Sequence, residues 1–65
     1  MNLSDKKIDT FNVTFTDRSG NGVKHIDQVD PKALDATIHS VVNSALNLDI
    51  QVERIILFVN YKEIY

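Results

Sequence analysis

Phe11, Val13 and Phe15 alternate with Thr10, Asn12, Thr14 and Thr16. This period of two predicts a β-strand over Ile8 to Thr16, with one face in a core and the other wet. The threonines suit the wet face, where β-branching favours extended backbone and the hydroxyls stay hydrated. Asp17-Arg18-Ser19-Gly20-Asn21-Gly22 then gathers turn formers, including both glycines of the chain. Asn21-Gly22 favours a type I′ hairpin, and a longer loop with a bulge is the alternative. The return strand runs from Val23 to about Gln28, with a weaker pattern that puts Val23 and Ile26 on opposite faces.

At Asp30-Pro31 the period changes. An aspartate oxygen can accept an orphan amide at a helix start, and proline at the first position loses no bond. Val29 can close the start by packing on Leu34. Leu34, Ile38, Val41, Val42, Ala45 and Leu48 follow helical spacing, opposite Lys32, Asp35, His39, Ser40 and Asn43. The helix is expected to run to about Leu46, with Asn47 as a left-handed C-cap.

The segment from Val52 to Tyr65 is the most apolar in the chain. As a strand it sends Ile55, Leu57, Val59 and Tyr61 to one face, and Ile56 and Phe58 to the other. The apolar phase changes after Val52, which implies a bulge near Glu53-Arg54 or a strand that starts later than Ile50.

Strand, strand, helix, strand is an α+β order. A helix of about sixteen residues spans roughly 24 Å, enough for the third strand to run parallel to the second. The right-handed crossover rule then lands it beside the first, giving a three-stranded sheet of order 2-1-3 with one helix on one face. The reading is a single β-β-α-β domain over residues 1–65, with 1–7 as a flexible N-terminal arm. Phe11, Val13, Phe15 and the helix stripe are expected to cover Ile55, Leu57 and Val59. Ile56 and Phe58 are left on the other face, beside an open edge. Two copies pairing through their third strands would satisfy that edge and join the patches. The competing expectation is a lid formed by Leu3 and Ile8 of the arm.

Composition bears on this choice. At 65 residues the chain hides only about 60% of its unfolded surface on folding, and with no cysteine it has no disulfide to compensate. A second subunit is the remaining remedy. Hydrophobic residues at 43% and charged residues at 25% are globular values, and seven basic against nine acidic residues form no basic stripe for nucleic acid. No run approaches the length of a membrane span and no export signal is visible, so a cytoplasmic protein without membrane or nucleic-acid partners is expected.

Phe11-Asn12-Val13-Thr14-Phe15-Thr16, followed by Ser19, Asn21-Gly22-Val23 and an amphipathic helix, resembles the opening of the small YoaG-type enterobacterial proteins of unknown function. The likeness covers about a dozen hairpin positions. It implies a small α/β homodimer, and no activity or site residues.

Chemistry is sparse. His25 and Asp27 share a strand face without a third ligand nearby, and His39 has Asp35 one turn earlier on the wet side of the helix. Ser19-Gly20-Asn21-Gly22 lacks the lysine and helix start of a phosphate loop. No cofactor or metal is therefore expected. The sequence reading is a small, non-enzymatic bacterial or phage interaction protein, regulatory or inhibitory. It pairs with itself through the third strand and acts on another protein, with Ile56, Phe58, Asn60, Tyr61 and Tyr65 as the contact residues. The alternative is an enzyme or ligand-binding subunit whose site, drawn from His25, Asp27 and His39, forms only at a dimer interface.

Overall fold

The computed structural model describes residues 6–64. Strand β1 spans Lys6–Thr16, β2 Gly22–Val29 and β3 Arg54–Glu63, with helix α1 over Leu34–Asn47 after a single 3-10 turn at Pro31–Ala33. The sheet order is β2-β1-β3 and β1 is antiparallel to both neighbours, so β2 and β3 run the same way, as the crossover argument requires. Of the expected N-terminal arm, Lys6 and Lys7 open β1, opposite Glu63 and Lys62. Leu3 and Tyr65 lie outside the described residues.

The hairpin turns before Asn21-Gly22. Gly20 carries the positive φ of 86° and donates its amide to the Asp17 carbonyl, while the Asp17 amide donates to Asn21 O. The Asp17 carboxylate accepts from the Ser19 and Asn21 amides. This is the longer, bulged loop rather than the type I′ turn, because an aspartate that satisfies two loop amides favours the wider connection.

Two irregularities in β2 explain its weak periodicity. Thr16 pairs with Gly22 and Phe15 with Lys24, so Val23 is an extra residue; likewise one residue is inserted between the Val13–Ile26 and Phe11–Val29 pairs. Each bulge resets the alternation. Val23 and Val29, each three positions from Ile26, thereby reach the same face, and all three pack in the core. Val23 and Ile26 were expected on opposite faces; the bulge overturns that.

That core is small. Val13, Phe15, Val29 and Ala45 are the buried hydrophobics among the described residues, with Phe11, Leu34, Ile38, Val41 and Val52 packed partly around the first three. Asp30 caps the 3-10 turn by accepting from the Lys32 amide at 2.8 Å, and Leu34 packs against the buried cluster of Val13, Phe15 and Val29. At the other end the left-handed residue is Asp49 (φ 58°) instead of Asn47. Asp49 N donates to Leu46 O and Ile50 N to Ala45 O, the paired bonds of a Schellman stop. Asn47 remains helical because the chain closes those bonds two residues later, and aspartate tolerates the left-handed conformation. Strand β3 begins at Arg54, the later of the two starts, and the Glu53 amide extends its ladder to Thr16 O.

The helix position differs most from expectation. One residue, Asp30, separates β2 from the 3-10 turn, which pins the start of the helix above β2. A helix about 10 Å wide covers roughly two strands spaced 4.8 Å apart, and these are β2 and β1. Beyond them, no helix among the described residues roofs β3. Ile55, Leu57 and Val59, expected beneath the helix stripe, stay 38%, 44% and 38% exposed.

Candidate interaction surface

Strand β3 is ten residues long and, within it, Asn60 alone is less than exposed. The ladder to β1 assigns its faces. Phe11, Val13 and Phe15 oppose Val59, Leu57 and Ile55, so these share the helix side; Thr10, Asn12, Thr14 and Thr16 oppose Asn60, Phe58, Ile56 and Arg54 on the far side. Both faces are therefore apolar and open to solvent. Phe58 is 64% exposed, Ile56 37% and Tyr61 61%. In this strand the branched and aromatic side chains that favour extended backbone are also those left uncovered.

An extra residue at Asp9 shifts the register between Ile8 and Thr10, so that Ile8 opposes Tyr61. Ile8 is thereby placed on the helix side, next to Tyr61 and away from Ile56 and Phe58. It is itself exposed and covers neither. Of the lid that was the competing expectation, Ile8 stands on the wrong face and Leu3 lies outside the described residues.

Asn60 has a different role from its apolar neighbours. Its amide donates to Thr10 Oγ1 at 3.1 Å and to Asn12 Oδ1 at 2.9 Å, and Asn12 Oδ1 also accepts the Gln28 amide at 3.0 Å. This chain of bonds crosses all three strands on the far face. It fixes β3 against β1 and holds the β2 bulge, where Gln28 sits at φ 57°. Among the contact residues named from sequence, Ile56, Phe58 and Tyr61 are thus free for a partner. Asn60 aligns the strand they stand on, and Tyr65 lies outside the described residues.

The polar candidates do not assemble into one site within this chain. His25 accepts or donates at 2.7 Å to Thr14 Oγ1 through Nδ1 and meets Asp27 Oδ1 at 2.6 Å through Nε2. That line lies on the far face with Thr14, and its histidine and aspartate side chains are half exposed or more. His39 faces Asp35 at 3.5 Å on the helix, across the sheet from His25. An open hollow of about 300 Å³ reaches Asp27 and is lined by Asp9, Thr10, Asn12, Gln28 and Asn60 as well. Among the described residues no group of three or more His, Asp or Glu converges as a metal site, and no helix is long and apolar enough to cross a membrane.

The surface area of the chain as a whole is large for its mass. It exposes 5146 Å², where a compact monomer of 7.4 kDa exposes about 4200 Å². The excess of roughly 900 Å² is close to the ~800 Å² that one partner contributes to a standard protein interface. The Cα radius of gyration of 14.2 Å likewise exceeds the ~11 Å of a self-contained domain of this length.

The residues that sequence reasoning missed are Ile55, Leu57 and Val59. Their signal was available in the connection lengths: a single residue before the 3-10 turn holds the helix over β2, and among the described residues there is no second helix to cover β3. Comparison with protein-family models, with curated proteins and with solved structures finds no match.

Proposed function

We propose that this protein is a non-enzymatic interaction protein whose working surface is β3, and that a second copy of the same chain is its first partner. One observation carries the reading: β3 combines an open edge with two uncovered apolar faces, where natural sheets keep edge strands short, charged or covered. The resemblance of the hairpin to YoaG-type proteins implies the same assembly. The dimer in turn would act by occupying another protein's surface, with Phe58 and Tyr61 as aromatic anchors of the kind that dominate interface energetics.

A site completed at the interface is the less supported reading. If β3 is the seam, β2 lies at the outer rim of the dimer, with β1 and β3 between it and the axis. His25 and Asp27 would then be kept from the junction, and His39 stands on the opposite side of the sheet.

Sedimentation equilibrium on the purified protein tests the proposal. A dimer at tens of micromolar is expected, and a monomer there would overturn self-association. Phe58→Asp should weaken the dimer at least about tenfold, since it removes an apolar side chain of about 1.5–3 kcal/mol burial value from each copy and adds a charge. If it leaves the oligomeric state, the stability and the capture of partners unchanged, β3 is not the working surface.

A further inference from the structure

The proposal that β3 pairs with itself leaves open how, and the positions along the strand restrict the answer. We propose that the two β3 strands run antiparallel about a two-fold axis normal to the sheet at Leu57, making one continuous six-stranded sheet. The inference rests on the β3 seam proposed above and specifies its register.

A two-fold axis normal to the sheet keeps every residue on its own face, and residues directly opposite in an antiparallel pair share a face. Opposed residue numbers must therefore have an even sum. Centring on Leu57 sets Leu57 against its own copy, Ile55 against Val59 and Ile56 against Phe58, so all five consecutive apolar positions meet apolar partners. Arg54 then faces Asn60, and no like charges are opposed.

The neighbouring registers are worse for identifiable reasons. Centring on Phe58 sets Arg54 against Lys62, a like-charge pair directly across the seam. Centring on Ile56 puts Arg54 opposite Phe58 and Glu53 opposite Val59. Centring on Val59 puts Ile55 opposite Glu63 and Ile56 opposite Lys62, whose ammonium already lies 3.9 Å from Asp9. Pairing β3 with the β2 edge of another copy would be heterologous and would extend without closing. The bulges and the Lys24, His25 and Asp27 side chains on β2 also oppose such pairing.

In the Leu57 register the far face of the dimer carries two Ile56–Phe58 pairs side by side, and the helix face carries a trough floored by Ile55, Leu57 and Val59 from both copies. Both faces therefore stay apolar across the seam, and each runs continuously over the two copies with two-fold symmetry.

The chain has no cysteine, so single introduced cysteines report the register directly. Opposite Cα atoms in an antiparallel pair lie about 4.5–5.5 Å apart, inside the range a disulfide bridges. Leu57→Cys should oxidise to a covalent dimer at least about tenfold faster than Phe58→Cys or Asn60→Cys, whose copies stand roughly 8 Å or more apart in this register. The Ile55→Cys/Val59→Cys double variant should form two bridges per dimer, which keeps the test alive if Leu57→Cys folds poorly. Faster cross-linking of Phe58→Cys or Asn60→Cys would overturn the Leu57 register while leaving the β3 seam in place. A dimer by sedimentation that cross-links at none of these positions would overturn the Leu57 register, and a monomer would overturn the seam itself.

Discussion

The two edges of this sheet are treated in opposite ways. Strand β2 is eight residues long, interrupted by two register shifts, lined with Lys24, His25 and Asp27, and partly roofed by the helix that follows it directly. Each of these is a known device for keeping an edge from pairing. Strand β3 is ten residues long, has no insertion of its own, and carries five apolar residues in succession. A single short chain thus guards one edge and leaves the other open. The difference argues that β3 is exposed because something pairs with it, since the same sequence contains the means of closing an edge.

The largest expected effect comes from giving β3 the kind of protection β2 has. Leu57→Lys would place an ammonium group in the middle of the apolar run and, in the proposed register, opposite its own copy. With Leu57 44% exposed in the single chain, the burial lost over two chains is at most about 1.3–2.6 kcal/mol, to which like-charge repulsion adds. The dimer should therefore weaken by at least about tenfold in sedimentation equilibrium. The matching change on the guarded edge, Asp27→Lys, should shift the same equilibrium by less than about twofold, as expected of a substitution at an exposed position. Equal losses from both would abolish the distinction between the edges.

Much of this contrast was legible in the sequence, though unevenly. The order of elements, the sheet order and the far-face patch of Ile56 and Phe58 follow from periodicity and from the crossover rule. What periodicity cannot convey is how far a helix reaches sideways. Ile55, Leu57 and Val59 have the right spacing to meet a helix, and they miss it because Asp30 alone connects Val29 to the 3-10 turn at Pro31. The β2 pattern was hard to read for a related reason. Two inserted residues make Val23, Ile26 and Val29 recur every third position, which matches neither a regular strand nor a helix. A side chain's role can also differ from its neighbourhood: Asn60 lies within the apolar strand, and its two bonds to Thr10 and Asn12 are visible only once the ladder is in place.

Those bonds give the next test of the comparison. Asn12 Oδ1 joins the open strand to the guarded one, accepting from Asn60 on one side and from the Gln28 amide on the other. Asn12→Ala removes the acceptor for both. It should lower the stability of the chain by about 1–3 kcal/mol, measured by urea denaturation at fixed protein concentration. Association should change less than for Leu57→Lys. If stability is unaffected, the network does not hold β3 in its register.

The smallest expected effect has the opposite sign. Gln28 holds a left-handed backbone at φ 57° without being glycine, which costs about 1–2 kcal/mol for a residue with a Cβ. Its side chain is exposed, and its amide bond to Asn12 does not depend on side-chain identity. Gln28→Gly should therefore relieve the strain, while the added freedom of glycine in the unfolded chain offsets part of the gain. A net stabilisation of up to about 1 kcal/mol in urea denaturation is expected, with the dimer constant unchanged. The bulge at Gln28 also places Val29 in the core, so the substitution separates two reasons for its presence. Stabilisation without any change in association would mean that the bulge serves packing, with the blunted edge as its consequence. Weaker discrimination between the two edges, seen as association beyond a dimer, would mean instead that a stiff, strained Gln28 is part of what keeps β2 from pairing.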